Sequence, residues 1–118
     1  MRPFDVLDNP IPRARRALPF VAILQSDFAE TGRDRVVAPL APRAAMPTLA
    51  GRLIPIVTVE NQDYALLVPS LTALPVTDLR YVVANLADHR EQIVAALDYL
   101  FIGARILPGF AAGAWSSR

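Results

Sequence analysis

The sequence predicts a mainly β domain that ends in one α-helix, and three observations carry this. Up to about residue 83 the apolar residues come in short runs, broken by prolines and turn residues before a helix could establish itself. Leu53–Val59 and Tyr64–Val68 face each other across Glu60-Asn-Gln-Asp63, which predicts a hairpin and so an antiparallel pair. Only Asp88–Gly103 keeps helical periodicity from a start signal to a stop signal.

Residues 4–8 (Phe-Asp-Val-Leu-Asp) read as a first strand. Asn9-Pro-Ile-Pro ends it, because each proline removes a ladder donor. Residues 19–26 are almost continuously apolar, as in a strand buried on both faces. Asp27 to Asp34 is polar turn material around Thr31-Gly32. Residues 35–41 form the next strand, where Pro39 implies an edge or a bulge. Pro42–Gly51 reads as a loop or small hairpin. After the 53–68 hairpin, with a connection of about four residues, 69–75 reads as a loop. Val76–Val83 reads as a last strand followed by a turn of helix.

The helix has its own signals. Asp88 with Glu91 three residues on has the form of a capping box. Ile93, Leu97, Leu100, Phe101 and Ala104 make an apolar stripe, and Gly103 suits a left-handed stop. Residues 105–118 contain Pro108, Gly109 and Gly113, which predicts a mobile tail unless Phe110 and Trp115 dock somewhere.

At 118 residues, one domain is the simplest division. A net charge of +1 supplies no bulk electrostatic grip on nucleic acid. All twelve basic residues are arginine, and there is no cysteine, so disulfides, thiolate metal sites and a cysteine nucleophile are excluded. No run reaches the roughly 18 apolar residues of a membrane span, and Met-Arg-Pro-Phe-Asp does not open a signal peptide, so a cytoplasmic protein is expected.

Little catalytic chemistry is visible. His89 is the single histidine, placed in the first turn of the helix, where the dipole disfavours its cation; a surface position is expected. There is no Gly-x-Ser-x-Gly elbow, no phosphate-binding glycine loop and no clustered metal ligands. Arg33 and Arg35 beside Asp34 and Glu30 read either as a phosphoryl-transfer site or as a charged turn. Arg13, Arg15 and Arg16 read either as a solvated loop or as a contact with an acidic partner. The chemistry as a whole points to a binding module without a cofactor, not an enzyme.

Three blocks in order resemble one family. They are Phe20-Val-Ala-Ile-Leu-Gln-Ser-Asp27 with Thr31-Gly-Arg and Arg35-Val-Val-Ala-Pro-Leu40; Leu53-Ile-Pro-Ile-Val-Thr-Val59 with Tyr64 and Ala73-Leu-Pro-Val76; and Leu86-Ala-Asp-His-Arg-Glu-Gln-Ile93 ending in Leu100-Phe-Ile-Gly103. Their spacing resembles the CcdB toxins of bacterial toxin–antitoxin modules from about Phe4 to Ala104, which sets a toxin domain over 1–104 and a tail over 105–118. The resemblance implies an SH3-like barrel of the CcdB/MazF type, an antiparallel sheet with a C-terminal helix, assembled as a homodimer. It implies a non-enzymatic topoisomerase poison that binds the DNA gyrase A subunit, traps cleaved DNA, is neutralised by a CcdA-like antitoxin and serves plasmid maintenance.

Carried over residue by residue, the gyrase-binding tip falls on Phe101, Ile102, Gly103 and Ala104. The antitoxin contacts fall on Phe28, Ala29, Asp98, Phe101 and Ile102, and the dimer contacts on Leu100 and Ile102. Where the family has Trp-Gly-Ile at the tip, this chain has Ile102-Gly103-Ala104 and then continues. That continuation would either block the tip or return Trp115 in place of the missing aromatic. Two other readings stay open: a MazF-like endoribonuclease using Arg13, Arg15, Arg16 and Arg33, or a decayed toxin that only binds antitoxin.

Overall fold

The structure, a computed structural model, describes residues 2–25, 32–45 and 51–102. Among the described residues seven antiparallel strands form one sheet: β1 (Asp5–Asp8), β2 (Phe20–Ile23), β3 (Asp34–Pro42), β4 (Ile56–Val59), β5 (Gln62–Leu66), β6 (Thr72–Pro75) and β7 (Val82–Asn85). The order is β4-β5-β3-β2-β1-β7, with β6 also on β3. The sheet curls into a half-barrel, and α1 (Arg90–Ile102) follows it. The mainly β fold with a C-terminal helix is as expected from the sequence.

Strand alternation explains how such short strands hold together. Val6, Ala22, Ala38 and Leu40 point to one face, where Leu86, Ile93 and Ala96 join them in the main core. Leu7, Val21, Ile23 and Val37 point to the other face and are covered by Leu79 and Leu74. The sheet is therefore buried on both sides at its centre, which is why β2 reads as a continuous apolar run. Phe20 and Tyr64 meet edge to face, with ring centroids 5.5 Å apart, and tie β2 to β5 across β3.

Pro39 lies in the central strand, not at an edge. Its carbonyl accepts the Leu67 N–H at 2.9 Å, so the ring nitrogen points the same way. That side of β3 is paired with β6 up to Val37 and with β5 from Leu40, and Pro39 falls in the gap between them. No ladder donor is needed there.

Three other expectations are corrected. The 53–68 hairpin closes through two residues, Glu60 and Asn61, both at positive φ (51° and 66°), as a type I′ turn demands; Gln62 and Asp63 belong to β5. Residues 69–75 are not all loop, since Thr72–Pro75 pairs with β3. Between 76 and 85 the helical turn (Val76–Asp78) comes first and the strand second.

The capping box does not form. Asn85 Oδ1 accepts the Ala87 N–H at 2.8 Å, opening a 3-10 turn (Ala87–His89) that runs into α1, and Asp88 sits inside that turn. Asn85 Nδ2 also donates to Asp5 Oδ1 (2.9 Å) and to the Pro3 carbonyl (3.2 Å). The helix entry is thus fastened to β1 by a side chain outside the predicted box. Phe4, just before β1, holds a positive φ of 69°, a strained geometry for an aromatic residue. Its N–H donates to the Ile23 carbonyl at 2.7 Å, its carbonyl accepts from Leu86, and the Arg90 guanidinium lies 5.8 Å from its ring centre. These contacts hold the strained backbone in place.

Candidate functional site

Helix α1 carries apolar residues on more than its buried face. Ile93 and Ala96 are fully buried, and Leu97 and Leu100 pack against the same core. Val94, Tyr99, Phe101 and Ile102 are left exposed, Phe101 to 61 %. Phe101 therefore does not belong to the buried stripe in which the periodicity placed it, and Ala96 completes that stripe instead. Ala104 lies outside the described residues.

A groove of about 960 Å³ runs between α1 and the segment leading into β4. One wall is Gln92, Ala95, Asp98, Tyr99 and Ile102, the three- and four-residue spacing of one helix flank. The other includes Arg52, Ile54, Pro55 and Ile56. The Arg52 guanidinium lies 5.5 Å from the centre of the Tyr99 ring, a cation–π contact that joins the walls.

Outside the groove's lining, one turn before Gln92, His89 is more than a surface residue. The Thr58 N–H donates to its Nε2 at 3.3 Å, and Nδ1 lies 3.2 Å from Gln92 Oε1. Since Nε2 accepts, this network assigns the proton to Nδ1, which donates to Gln92. His89 so links α1 to β4 and positions a wall residue.

Asp98 and Ile102, drawn from the antitoxin contacts, both line the groove, while Phe101 lies outside its lining. Leu100 packs against the core and Ile102 is partly open. Phe28, Ala29, Gly103, Ala104 and residues 105–118 lie outside the described residues. Tyr99, Arg52 and the Ile54–Ile56 segment are additions to the site that the sequence reading does not contain. The signal for Tyr99 is a second helical stripe, Gln92-Ala95-Tyr99-Ile102, beside the one that is buried.

The arginines singled out from the sequence do not gather at this groove. Arg13 and Arg16 are exposed, and Arg15 Nε donates to the Asn9 carbonyl at 2.6 Å. Arg15 lines a separate cleft with Asp8, Asp78 and Arg80, whose opposite charges balance. Arg35 is buried and donates to the Gly32 and Asp34 carbonyls at 2.7 and 2.9 Å, so it braces the turn before β3. Glu30 lies outside the described residues.

Among the described residues no group of histidines and carboxylates could hold a metal ion. No helix there is long and apolar enough to cross a membrane. Large exposed apolar side chains on the flanks of α1 are the kind of surface that marks an interaction site on a small domain. The family model described as CcdB protein matches residues 3–103, and the chain belongs to the CcdB family. Membership makes it a toxin of a toxin–antitoxin module. A comparison with curated proteins returns no match.

Proposed function

We propose that this toxin acts by binding and not by catalysis: as a homodimer it engages the DNA gyrase A subunit and traps the enzyme on cleaved DNA. The observation that carries this is the open apolar end of α1, where Phe101 and Ile102 stand exposed on the scaffold of a CcdB-family protein. Phe101, Ile102, Gly103 and Ala104 form the gyrase-binding tip. Phe101 supplies the aromatic anchor that position 102 lacks, since large buried aromatics dominate interface energy. Leu100 and Ile102 meet their own copies about the twofold axis, Leu100 from within the core edge and Ile102 from the surface.

A CcdA-like antitoxin peptide docks along the groove through Asp98 and Ile102 and extends to Phe101, Phe28 and Ala29. Ordering such a peptide costs entropy, which the apolar groove offsets. Inducible expression in a bacterial host, with purified protein assayed for gyrase-dependent DNA cleavage, tests the proposal. Accumulated double-strand breaks that vanish in gyrase-resistant hosts are the expected result. Toxicity with messenger RNA loss would replace it with the ribonuclease reading, and harmless expression with tight antitoxin binding would leave only the decayed-toxin reading.

A further inference from the structure

We propose that the outer edge of β7, with the arginines around its start, takes up a short acidic peptide in extended form as an added strand. The inference stands apart from the gyrase and antitoxin readings, because the described residues those readings use all lie on α1. Among the described residues β7 closes one end of the strand order, and β1 is its one neighbour. β4, whose Ile56 lines the groove beside α1, closes the opposite end. A strand with one neighbour turns about every second N–H and C=O outward, and such a row is a template for another strand.

The side chains at this edge are those of a binding surface. Tyr81 is 73 % exposed, more than any other large apolar residue among the described ones, and Val82 beside it is 50 % exposed. Tyr81 also lines a cleft of about 470 Å³ with Arg15, Arg80, Asp8 and Asp78. The charges of the cleft itself cancel, but Arg13 and Arg16 stand exposed on the same loop as Arg15. The region thus carries four arginines against two aspartates, a surplus of two positive charges. None of these six groups makes an ion pair among the described residues.

That surplus decides between occupants. A second copy paired through β7 would bring the same arginines onto themselves about a twofold axis, whereas a strand bearing carboxylates neutralises them. The shape of the edge agrees. Val6 pairs with Ala84 and Leu7 with Val82, which leaves Val83 as the extra residue of a bulge. A bulged edge of four residues twists away from the flat edge of another sheet and suits a short segment. Successive side chains of an added strand fall on opposite faces, so alternating acidic and apolar residues set all the carboxylates on one side, over the arginines of the cleft.

The test uses a dye-labelled peptide alternating glutamate and valine, its lysine-for-glutamate counterpart, and a copy N-methylated at every second amide, each titrated with the full-length protein by fluorescence anisotropy. We expect the glutamate peptide to bind, more weakly as salt is added, and the other two to lose at least ~10-fold in affinity. Arg16→Glu together with Arg80→Glu, surface changes whose fold is checked by circular dichroism, should weaken binding by about tenfold or more, and Tyr81→Ser several-fold. Amide exchange followed by NMR should show the outward N–H groups of Val82–Asn85 exchanging quickly in the free protein and slowly with the peptide bound. No binding, or fast exchange that the peptide leaves unchanged, would overturn the proposal. So would equal binding of the N-methylated peptide, which would make the contact a charged patch and not a strand, and binding that the variants leave intact, which would place the peptide elsewhere. Slow exchange in the free protein would overturn it too, because another part of the chain would already pair β7, or a second copy would if the protection fades on dilution.

Discussion

The two sides of α1 are built from similar residues and do opposite things. The side with Ile93, Ala96, Leu97 and Leu100 meets the concave face of the sheet and closes the core. The flanks, with Val94, Tyr99, Phe101 and Ile102, stay out of the core and accessible. Hydrophobicity alone does not tell the two apart. What separates them is that the half-barrel is wide enough to cover one stripe of the helix and no more. An apolar helix face that the fold of the described residues leaves uncovered is the kind of surface a partner can take up.

The largest effect should come from the covered side. Ile93→Ala removes a fully buried side chain and should cost about 2–5 kcal/mol of stability in urea unfolding. A cost well below this range would mean that the helix is only loosely held and that the two sides are alike. On the open side, Phe101→Glu should leave stability within about 0.5 kcal/mol. It should weaken gyrase and antitoxin binding by at least ~30-fold, the loss of an aromatic anchor worth about 2 kcal/mol. Unfolding of that variant would show that Phe101 is covered after all. Ile102→Glu should likewise abolish toxicity or dimerisation, read by growth and by light scattering.

Smaller effects sharpen the comparison by testing how the helix is presented. Asn85→Ala removes both the Ala87 N–H contact and the link to Asp5, and should cost about 1–2 kcal/mol in thermal unfolding. The same measurement on Asp88→Ala should show almost no change, since Asp88 caps nothing among the described residues. The smallest change is Glu60→Asn. It should stabilise the protein by up to about 1 kcal/mol, because Glu60 holds a positive φ that asparagine tolerates better.

Much of the fold is legible in the residues themselves. The succession of strands and helix follows from run length and periodicity, because burial on one or both faces leaves a local imprint on residue type. The Glu60-Asn61 turn escapes such a reading because Glu60 is neither glycine nor asparagine, so Asn61 alone marks the positive φ values. Thr72–Pro75 escapes it because an exposed, proline-ended sequence becomes a strand only when β3 offers it an edge.

The site divides in the same way. Asp98 and Ile102 can be named from the sequence through the family's helix, but Arg52 and Ile54–Ile56 cannot, since they lie some forty residues upstream and meet α1 only in the folded chain. By itself, the sequence determined most of the strand runs, the helix from Arg90, the lack of cysteine chemistry and the family. Those are set by residue type and short-range spacing. Only the tertiary structure decided that Pro39 could sit in a central strand, that Phe101 faces solvent, and that a groove opens beside Tyr99. Each depends on where β5, β6 and the sheet's curvature stop, and that is fixed by long-range packing that no local pattern records.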